Sequence, residues 1–260
     1  MFSLAGKTAL ITGATGHLGR SIALSLANAG AQVLVNARNE AAAAAFVAEL
    51  TAQGLSAAEA VFDITDSAAV ADFFRGPKCP KLHVLVNNAY GGGAGNFLLS
   101  EEASYRAAYD ITVVAAHNVL RGAIPHLKNA VREYGEASVI NMASMYGMVS
   151  PDLRVYDSAG AANPPFYGAA KAALLQWTRY LACELGPQGI RVNAISPGAF
   201  PSEGFQNANP ECARQLIGKV PLGRFGKPSE LKGPVVFLAS AASSYVNGAN
   251  LVVDGGWTCW

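Results

Sequence analysis

Tyr167 and Lys171 lie four residues apart in the run Phe166-Tyr-Gly-Ala-Ala-Lys171. Four residues is about one helical turn, so on a helix both side chains share a face. An ammonium beside a phenol favours the phenolate, which predicts a tyrosine pKa drawn down from about 10 toward working pH. A tyrosine tuned in that way can trade a proton with a reacting oxygen. Taken alone the pair is a weak signal, because the chain holds nine tyrosines and such spacings arise by accident. Its weight comes from a second motif far upstream.

That motif is Thr8-Ala-Leu-Ile-Thr-Gly-Ala-Thr-Gly-His-Leu-Gly-Arg-Ser-Ile-Ala23, an apolar run, a glycine turn and a helical pattern. Gly13, Gly16 and Gly19 recur at intervals of three. Backbone N–H groups must come close to a phosphate, and a Cβ blocks that approach. The helix that follows offers its positive end. Three glycines alone also suit an ordinary strand-to-helix turn. Here an amphipathic helix follows and a second apolar strand begins at Gln32, which together predict a dinucleotide site.

The end of the second strand distinguishes the nicotinamide cofactors. An acid there suits the adenosine ribose of NAD, an arginine the 2′-phosphate of NADP. The run is Val33-Leu-Val-Asn-Ala-Arg38-Asn-Glu40, with no acid at Asn36 or Ala37. Arg38 presents a planar fork of donors that matches a phosphate. The expectation is NADP, with NAD possible, since no basic residue in the glycine turn reinforces Arg38.

From Lys7 to Trp257 the chain resembles the compact form of the short-chain dehydrogenase/reductase family. The matching segments are Thr12-Gly-Ala-Thr-Gly-His-Leu-Gly19, Asp63 in Phe-Asp-Ile-Thr-Asp, Val86-Asn-Asn-Ala89, Ile140-Asn-Met-Ala-Ser144, Tyr167-xxx-Lys171, Arg191-Val-Asn-Ala-Ile-Ser-Pro-Gly198 and Leu251-Val-Val-Asp-Gly-Gly256. The resemblance implies that Ser144 hydrogen-bonds the substrate oxygen, that Tyr167 gives or takes the proton, and that Lys171 lowers its pKa and holds the nicotinamide ribose. It implies cofactor contacts at Gly13, Thr15, Gly16, His17, Leu18 and Gly19 of the turn. Further along, it places Arg38, Asp63, Ile64, Asn88, Ala89, Tyr167, Lys171, Pro197, Gly198 and Phe200 against the same cofactor. It also implies a homodimer or homotetramer.

Four features depart from the family pattern. His17 stands where compact members carry the middle glycine, which has moved to Gly16, a spacing more like the longer sugar-nucleotide-modifying branch. Tyr90 follows Asn87-Asn-Ala89 where a glycine is usual. Thr112 falls where the fourth helix normally supplies an asparagine to a water-mediated proton relay; its hydroxyl can still hold a water. A long segment, about 145–166, separates Ser144 from Tyr167 and contains Asp152, Arg154, Tyr156, Asp157 and Asn163. Long loops beside a site are usually functional.

The elements that must position these residues are short apolar runs alternating with helical patterns. Strands are expected at Thr8–Thr12, Gln32–Asn36, Ala57–Phe62, Val84–Asn87, Ala137–Asn141, Arg191–Ile195 and Asn250–Val253. Helices are expected at Leu18–Ala29, Glu40–Gln53, Asp66–Phe74, Glu101–Leu127, Tyr167–Leu185, Pro210–Ile217 and Pro228–Leu238. Continuous apolarity predicts strands buried on both faces. Right-handed crossovers then give an α/β, doubly wound, mostly parallel seven-stranded Rossmann sheet with helices on both faces. No linker interrupts residues 1–260, so one domain is expected, with an insertion near 145–166 and a lid near 199–217. Gly13, Asn88, Ser144 and Pro197 all follow strand ends, where such sheets bind ligands.

Composition agrees with this reading. Hydrophobic residues make up 51% of the chain and charged ones 14%, which suits a large two-sided core. The formal net charge is +1 with no basic run, so neither nucleic acid nor an acidic membrane is an expected partner. Cys79, Cys183, Cys212 and Cys259 show neither paired metal spacing nor a disulfide framework, and are expected as reduced thiols in a cytoplasmic protein. The expected activity is NADPH-dependent reduction of a ketone to a secondary alcohol, on a sugar-like or 3-oxoacyl substrate. An epimerase or dehydratase with tightly held cofactor is the alternative raised by the glycine spacing. A non-catalytic dinucleotide sensor is the alternative raised by Thr112.

Overall fold

A computed structural model describes residues 1–77, 79 and 81–260. Seven parallel strands form one sheet in the order β3-β2-β1-β4-β5-β6-β7. They are β1 (Thr8–Ile11), β2 (Gln32–Ala37), β3 (Ala57–Val61), β4 (Val84–Asn87), β5 (Ala137–Met142), β6 (Ile190–Pro197) and β7 (Asn250–Val253). The connecting helices are α1 (His17–Asn28), α2 (Glu40–Ala52), α3 (Ser67–Arg75), α4 (Glu102–Tyr109), α5 (Ala115–Tyr134), α6 (Pro165–Leu185), α7 (Glu203–Ala208), α8 (Pro210–Ile217) and α9 (Lys232–Ala239).

Side chains alternate across each strand, and here both faces are covered. Ile11, Val33, Val35, Val84 and Val86 pack with Ile22 and Leu26 of α1 and Val235 and Leu238 of α9. Their neighbours Leu10, Leu34 and Leu85 turn the other way, onto Phe74 of α3, Leu120 and Leu127 of α5, and Leu181 of α6. This is why the strands read as unbroken apolar runs. Between β1 and β4 the winding reverses, opening a crevice beyond their carboxyl ends.

Most expected boundaries are met within a residue or two. The helix expected over Glu101–Leu127 differs. It begins as α4, passes through one wider turn at Asp110–Val114, where Ala115 N–H donates to Asp110 O, and continues as α5 to Tyr134. Such π-type turns occur frequently at functional sites. The helix expected over Pro228–Leu238 is a tight turn at Pro228–Leu231 followed by α9. Between β6 and α8 the chain adds α7, which the proline and glycine content had hidden.

The 145–166 segment contains three short helical turns and joins a cluster of its own. Its Met145 and Val155 pack with Cys212, Ala213 and Leu216 of α8 and with Trp257. Asp152 bridges Lys219 at 2.5 Å and Arg154 at 2.8 Å, linking this segment to the residue just beyond α8.

Candidate active site

The glycine turn sits at the mouth of β1. Gly13 has φ +62°, and a Cβ there would lie 2.9 Å from Ala89 Cα. At Gly19 a Cβ would lie 2.2 Å from Gly13 O. Glycine is therefore required at both for the turn to close on β4 and on α1. Gly16 has ordinary extended geometry as the residue before α1. The displaced middle glycine thus leaves the fold of the turn intact.

Side-chain hydrogen bonds that the sequence reading did not foresee fix this turn. Asn36 accepts from Gly13 N at 3.2 Å and donates to Ala60 O at 2.9 Å and Phe62 O at 3.1 Å, tying the turn to β2 and β3. The Thr12 hydroxyl oxygen accepts from the backbone N–H of Asn88 and Ala89 at 2.9 and 3.0 Å. Asn88 Nδ2 returns bonds to Thr12 O and Gly13 O. Polar side chains in the middle of apolar runs were the available signal, because buried polar groups need partners.

Every residue assigned to the cofactor from sequence lines one cleft of about 780 Å³. The same cleft holds Ser144, Tyr167 and Lys171. At its far end Arg38 stands 79% exposed, 3.8 Å from Asp63. Bonds from Thr65, chiefly its backbone N–H, hold the Asp63 carboxyl below its ordinary pKa, against desolvation, with Arg38 adding to the effect. His17 reaches across to Phe200 O at 3.1 Å. A carbonyl only accepts, so Nε2 carries the proton in that contact. The residue that departs from the family glycine therefore connects the turn to the segment after β6.

Ser144 lies two residues beyond β5 and opens the next tight turn, where its Oγ accepts from Tyr146 N at 3.1 Å. That leaves its O–H free to donate into the cleft. Lys171 is 4% exposed and donates to Met142 O at 2.6 Å. Its ammonium stands 5.8 Å from the Tyr167 ring centre and 5.2 Å from that of Tyr90. Tyr90 packs edge-on against Tyr167 with ring centres 4.9 Å apart.

One electrostatic expectation is corrected. Burial pushes the Tyr167 phenol above its ordinary pKa, with the Ser144 hydroxyl pulling the other way. Burial also lowers Lys171 to about 8. The shared face of α6 was foreseen; the burial of both groups was not. Desolvation opposes the charged form of each and is the largest influence on both. Tyr167 thus holds its proton at neutral pH, the form a proton donor needs.

Thr112 lies apart from the main cleft. It falls in the wide turn between α4 and α5, and its hydroxyl is buried without a partner. Asn87 Oδ1 is likewise buried and unpartnered, while its amide donates to Asn141. Thr112, Asn87 and Lys171 together line a chamber of about 10 Å³, close to the space of a single water.

A crevice at the sheet crossover, a tight glycine turn ahead of a helix and a Ser–Tyr–Lys set define a dinucleotide-dependent oxidoreductase. A family model described as enoyl-(acyl carrier protein) reductase matches residues 13–258. The 2-dehydro-3-deoxy-D-gluconate 5-dehydrogenase of Pseudoalteromonas atlantica is 34% identical, covering 98% of this chain and 97% of that protein. The 7alpha-hydroxysteroid dehydrogenase of Escherichia coli is 33% identical over 97% of this chain and 94% of its own. A crystal structure of a gluconate 5-dehydrogenase from Burkholderia cenocepacia with NADP and tartrate superposes with a TM-score of 0.88 at 30% identity, covering 100% of this chain and 98% of that one. The chain belongs to the short-chain dehydrogenase/reductase family and is an NAD(P)-dependent oxidoreductase of the ketone/secondary-alcohol type.

Proposed function

We propose that this protein reduces a ketone to a secondary alcohol with NADPH, Tyr167 supplying the proton. The observation that carries the reading is the convergence of Ser144, Tyr167 and Lys171 on the cleft that also holds the glycine turn. The residues fit a dinucleotide: Gly13 and Gly19 let the turn close tightly on β4 and α1, and α1 presents its N-terminal end there. When bound, the nicotinamide supplies the hydride.

The protein's own residues do the rest. Negative charge grows on the carbonyl oxygen as the bond to carbon forms. The free O–H of Ser144 stabilises that charge, and Tyr167 neutralises it by giving up its proton. Lys171 places a cation behind the phenol, which stabilises the phenolate left after transfer. Thr112 and Asn87, facing the water-sized chamber beside Lys171, support a water that steadies the ammonium and carries its proton exchange.

NADP is the preferred cofactor in this reading, with Arg38 receiving the 2′-phosphate; the structural relative from Burkholderia cenocepacia was crystallised with NADP. The substrate is a sugar-like or 3-oxoacyl ketone, in line with the sugar-acid dehydrogenase named among the relatives. Residues 199–217 form a lid over it, with the 145–166 segment as the facing wall. Exposed Tyr105, Tyr109, Val114 and Tyr180 on and between α4, α5 and α6 support a homodimer or homotetramer. All four cysteines are free, in keeping with a reducing cytoplasm.

The test is Tyr167→Phe at saturating NADPH across a ketone panel. Loss of one general acid costs about 100- to 10,000-fold in turnover. Near-normal rates would remove Tyr167 from this role.

A further inference from the structure

A second cavity of about 400 Å³ opens beside the reacting hydroxyls, sharing Ser144, Tyr167, Gly198 and Phe200 with the cofactor cleft. The 145–166 segment, residues 199–216, and Gly93 and Ala94 after β4 build its remaining walls. From its chemistry we infer that the substrate is an uncharged ring ketone carrying a hydroxyl or amide donor, and not a carboxylate such as an open-chain sugar acid. The inference rests on the oxidoreductase reading above and narrows its substrate.

Three observations carry it. First, among the described residues no Lys, Arg, Asp or Glu lines this cavity. Its polar side chains are the hydroxyls of Ser144, Tyr146, Tyr156 and Tyr167 and the amide of Asn163. Burial pushes both Tyr146 and Tyr156 above the ordinary phenol pKa, so they remain neutral. A carboxylate drawn into such a space gives up its hydration and gains no countercharge, which is strongly unfavourable.

Second, the cations borne by the surrounding walls are already engaged. Arg154 and Lys219 both pair with Asp152, at 2.8 and 2.5 Å. Neither lines the cavity, and either one drawn inward would give up its pairing with Asp152. Asp157 adds a negative charge near Cys212, whose thiol it helps hold above its ordinary pKa. With Lys219 added to the charged residues of 145–166 and 199–216, four carboxylates (Asp152, Asp157, Glu203 and Glu211) stand against three cations (Arg154, Arg214 and Lys219), so this end of the site offers an anion no surplus positive charge.

Third, the cavity offers aromatic side chains and one unspent acceptor. Tyr146, Tyr156, Tyr167, Phe200 and Phe205 are the aromatic members of its wall. Aromatic faces suit the carbon face of a ring better than a hydrated open chain. Asn163 Oδ1 is buried with no hydrogen-bond partner. A buried acceptor left unpaired is costly, and a hydroxyl or amide N–H on the substrate would satisfy it.

The test uses two ketones of one shape, 4-oxocyclohexanecarboxamide and 4-oxocyclohexanecarboxylate, which differ in charge and in the amide donor. NADPH oxidation by the full chain should give a kcat/KM at least tenfold higher for the carboxamide. A ratio above threefold supports the inference; a ratio of threefold or less, or refusal of both, overturns it. Phe205→Arg, which brings a cation into the wall, should shift the ratio toward the carboxylate by threefold or more. An unchanged ratio in that variant also overturns the electrostatic reasoning. Turnover confined to open-chain sugar-acid ketones and abolished by Tyr167→Phe would sink this inference while leaving the reductase standing. Absence of Tyr167-dependent NADPH oxidation with any ketone would remove the reductase reading itself.

Discussion

Replacing Arg38 by alanine should separate the two nicotinamide cofactors. The guanidinium is 79% exposed and sits 3.8 Å from Asp63, whose own side chain is 37% exposed. An exposed pair of this kind is worth about 1 kcal/mol or less. Arg38 can therefore turn from Asp63 toward a 2′-phosphate at little cost. A charge-assisted hydrogen bond contributes about 1.5–3 kcal/mol. Solvent exposure and salt discount that to about 1–2 kcal/mol here. At about 1.4 kcal/mol per decade, the variant should bind NADPH roughly 5- to 30-fold more weakly. NADH has no 2′-phosphate and should lose less than about threefold, since no charge-assisted contact is removed. Titration of cofactor fluorescence at two ionic strengths measures both. The NADPH loss should shrink at higher salt. Equal losses for the two cofactors, or none, would refute the assignment of Arg38 to the phosphate.

Further outcomes follow from the same geometry. The Lys171 pKa, lowered to about 8 by burial, implies that the ammonium is present below that pH and lost above it; kcat/KM for reduction should fall as pH rises through about 8, and a profile flat to pH 10 would exclude the need for that cation. The same shift has a stability consequence of definite sign. Because the folded pKa lies below the ordinary lysine value of 10.5, the unfolded chain binds the extra proton between about 8 and 10.5. Lys171 thus weakens the fold most below about pH 8, and a Lys171→Met protein should gain in melting temperature over the parent at pH 7 more than at pH 10. Thr112→Val keeps the shape of the chamber beside Lys171 but removes its hydroxyl; kcat should drop by about tenfold, the scale of about 1.4 kcal/mol for one hydrogen bond, with KM for NADPH little changed, and an unaltered kcat would dismiss the chamber from catalysis. Gly19→Ala places a Cβ 2.2 Å from Gly13 O; cofactor affinity and melting temperature should both fall, and a variant that binds NADPH normally would contradict the tight cradle.

Legibility in the sequence followed the range of the interaction involved. The strands were readable because each is buried on both faces, so Leu10 and Ile11, though they point to opposite helical layers, are both apolar. The glycine turn was readable because close backbone approach at Gly13 and Gly19 tolerates no other side chain. The wide turn at Asp110–Val114 was not readable. It is one inserted residue inside an otherwise helical pattern, and periodicity over so short a stretch does not register it.

The sequence by itself determined the reacting groups and the succession of strands and helices that carry them, since residue type and local spacing suffice for both. Tertiary structure alone decided their electrical state and surroundings. Spacing placed Lys171 beside Tyr167, but only the packed protein shows desolvation raising one pKa and lowering the other. Asp152, Arg154 and Lys219 read as scattered charges along the chain, and only folding joins them into one cluster that leaves the neighbouring cavity without a formal charge among the described residues. Burial and long-range pairing depend on the whole three-dimensional arrangement, so no local pattern carries them.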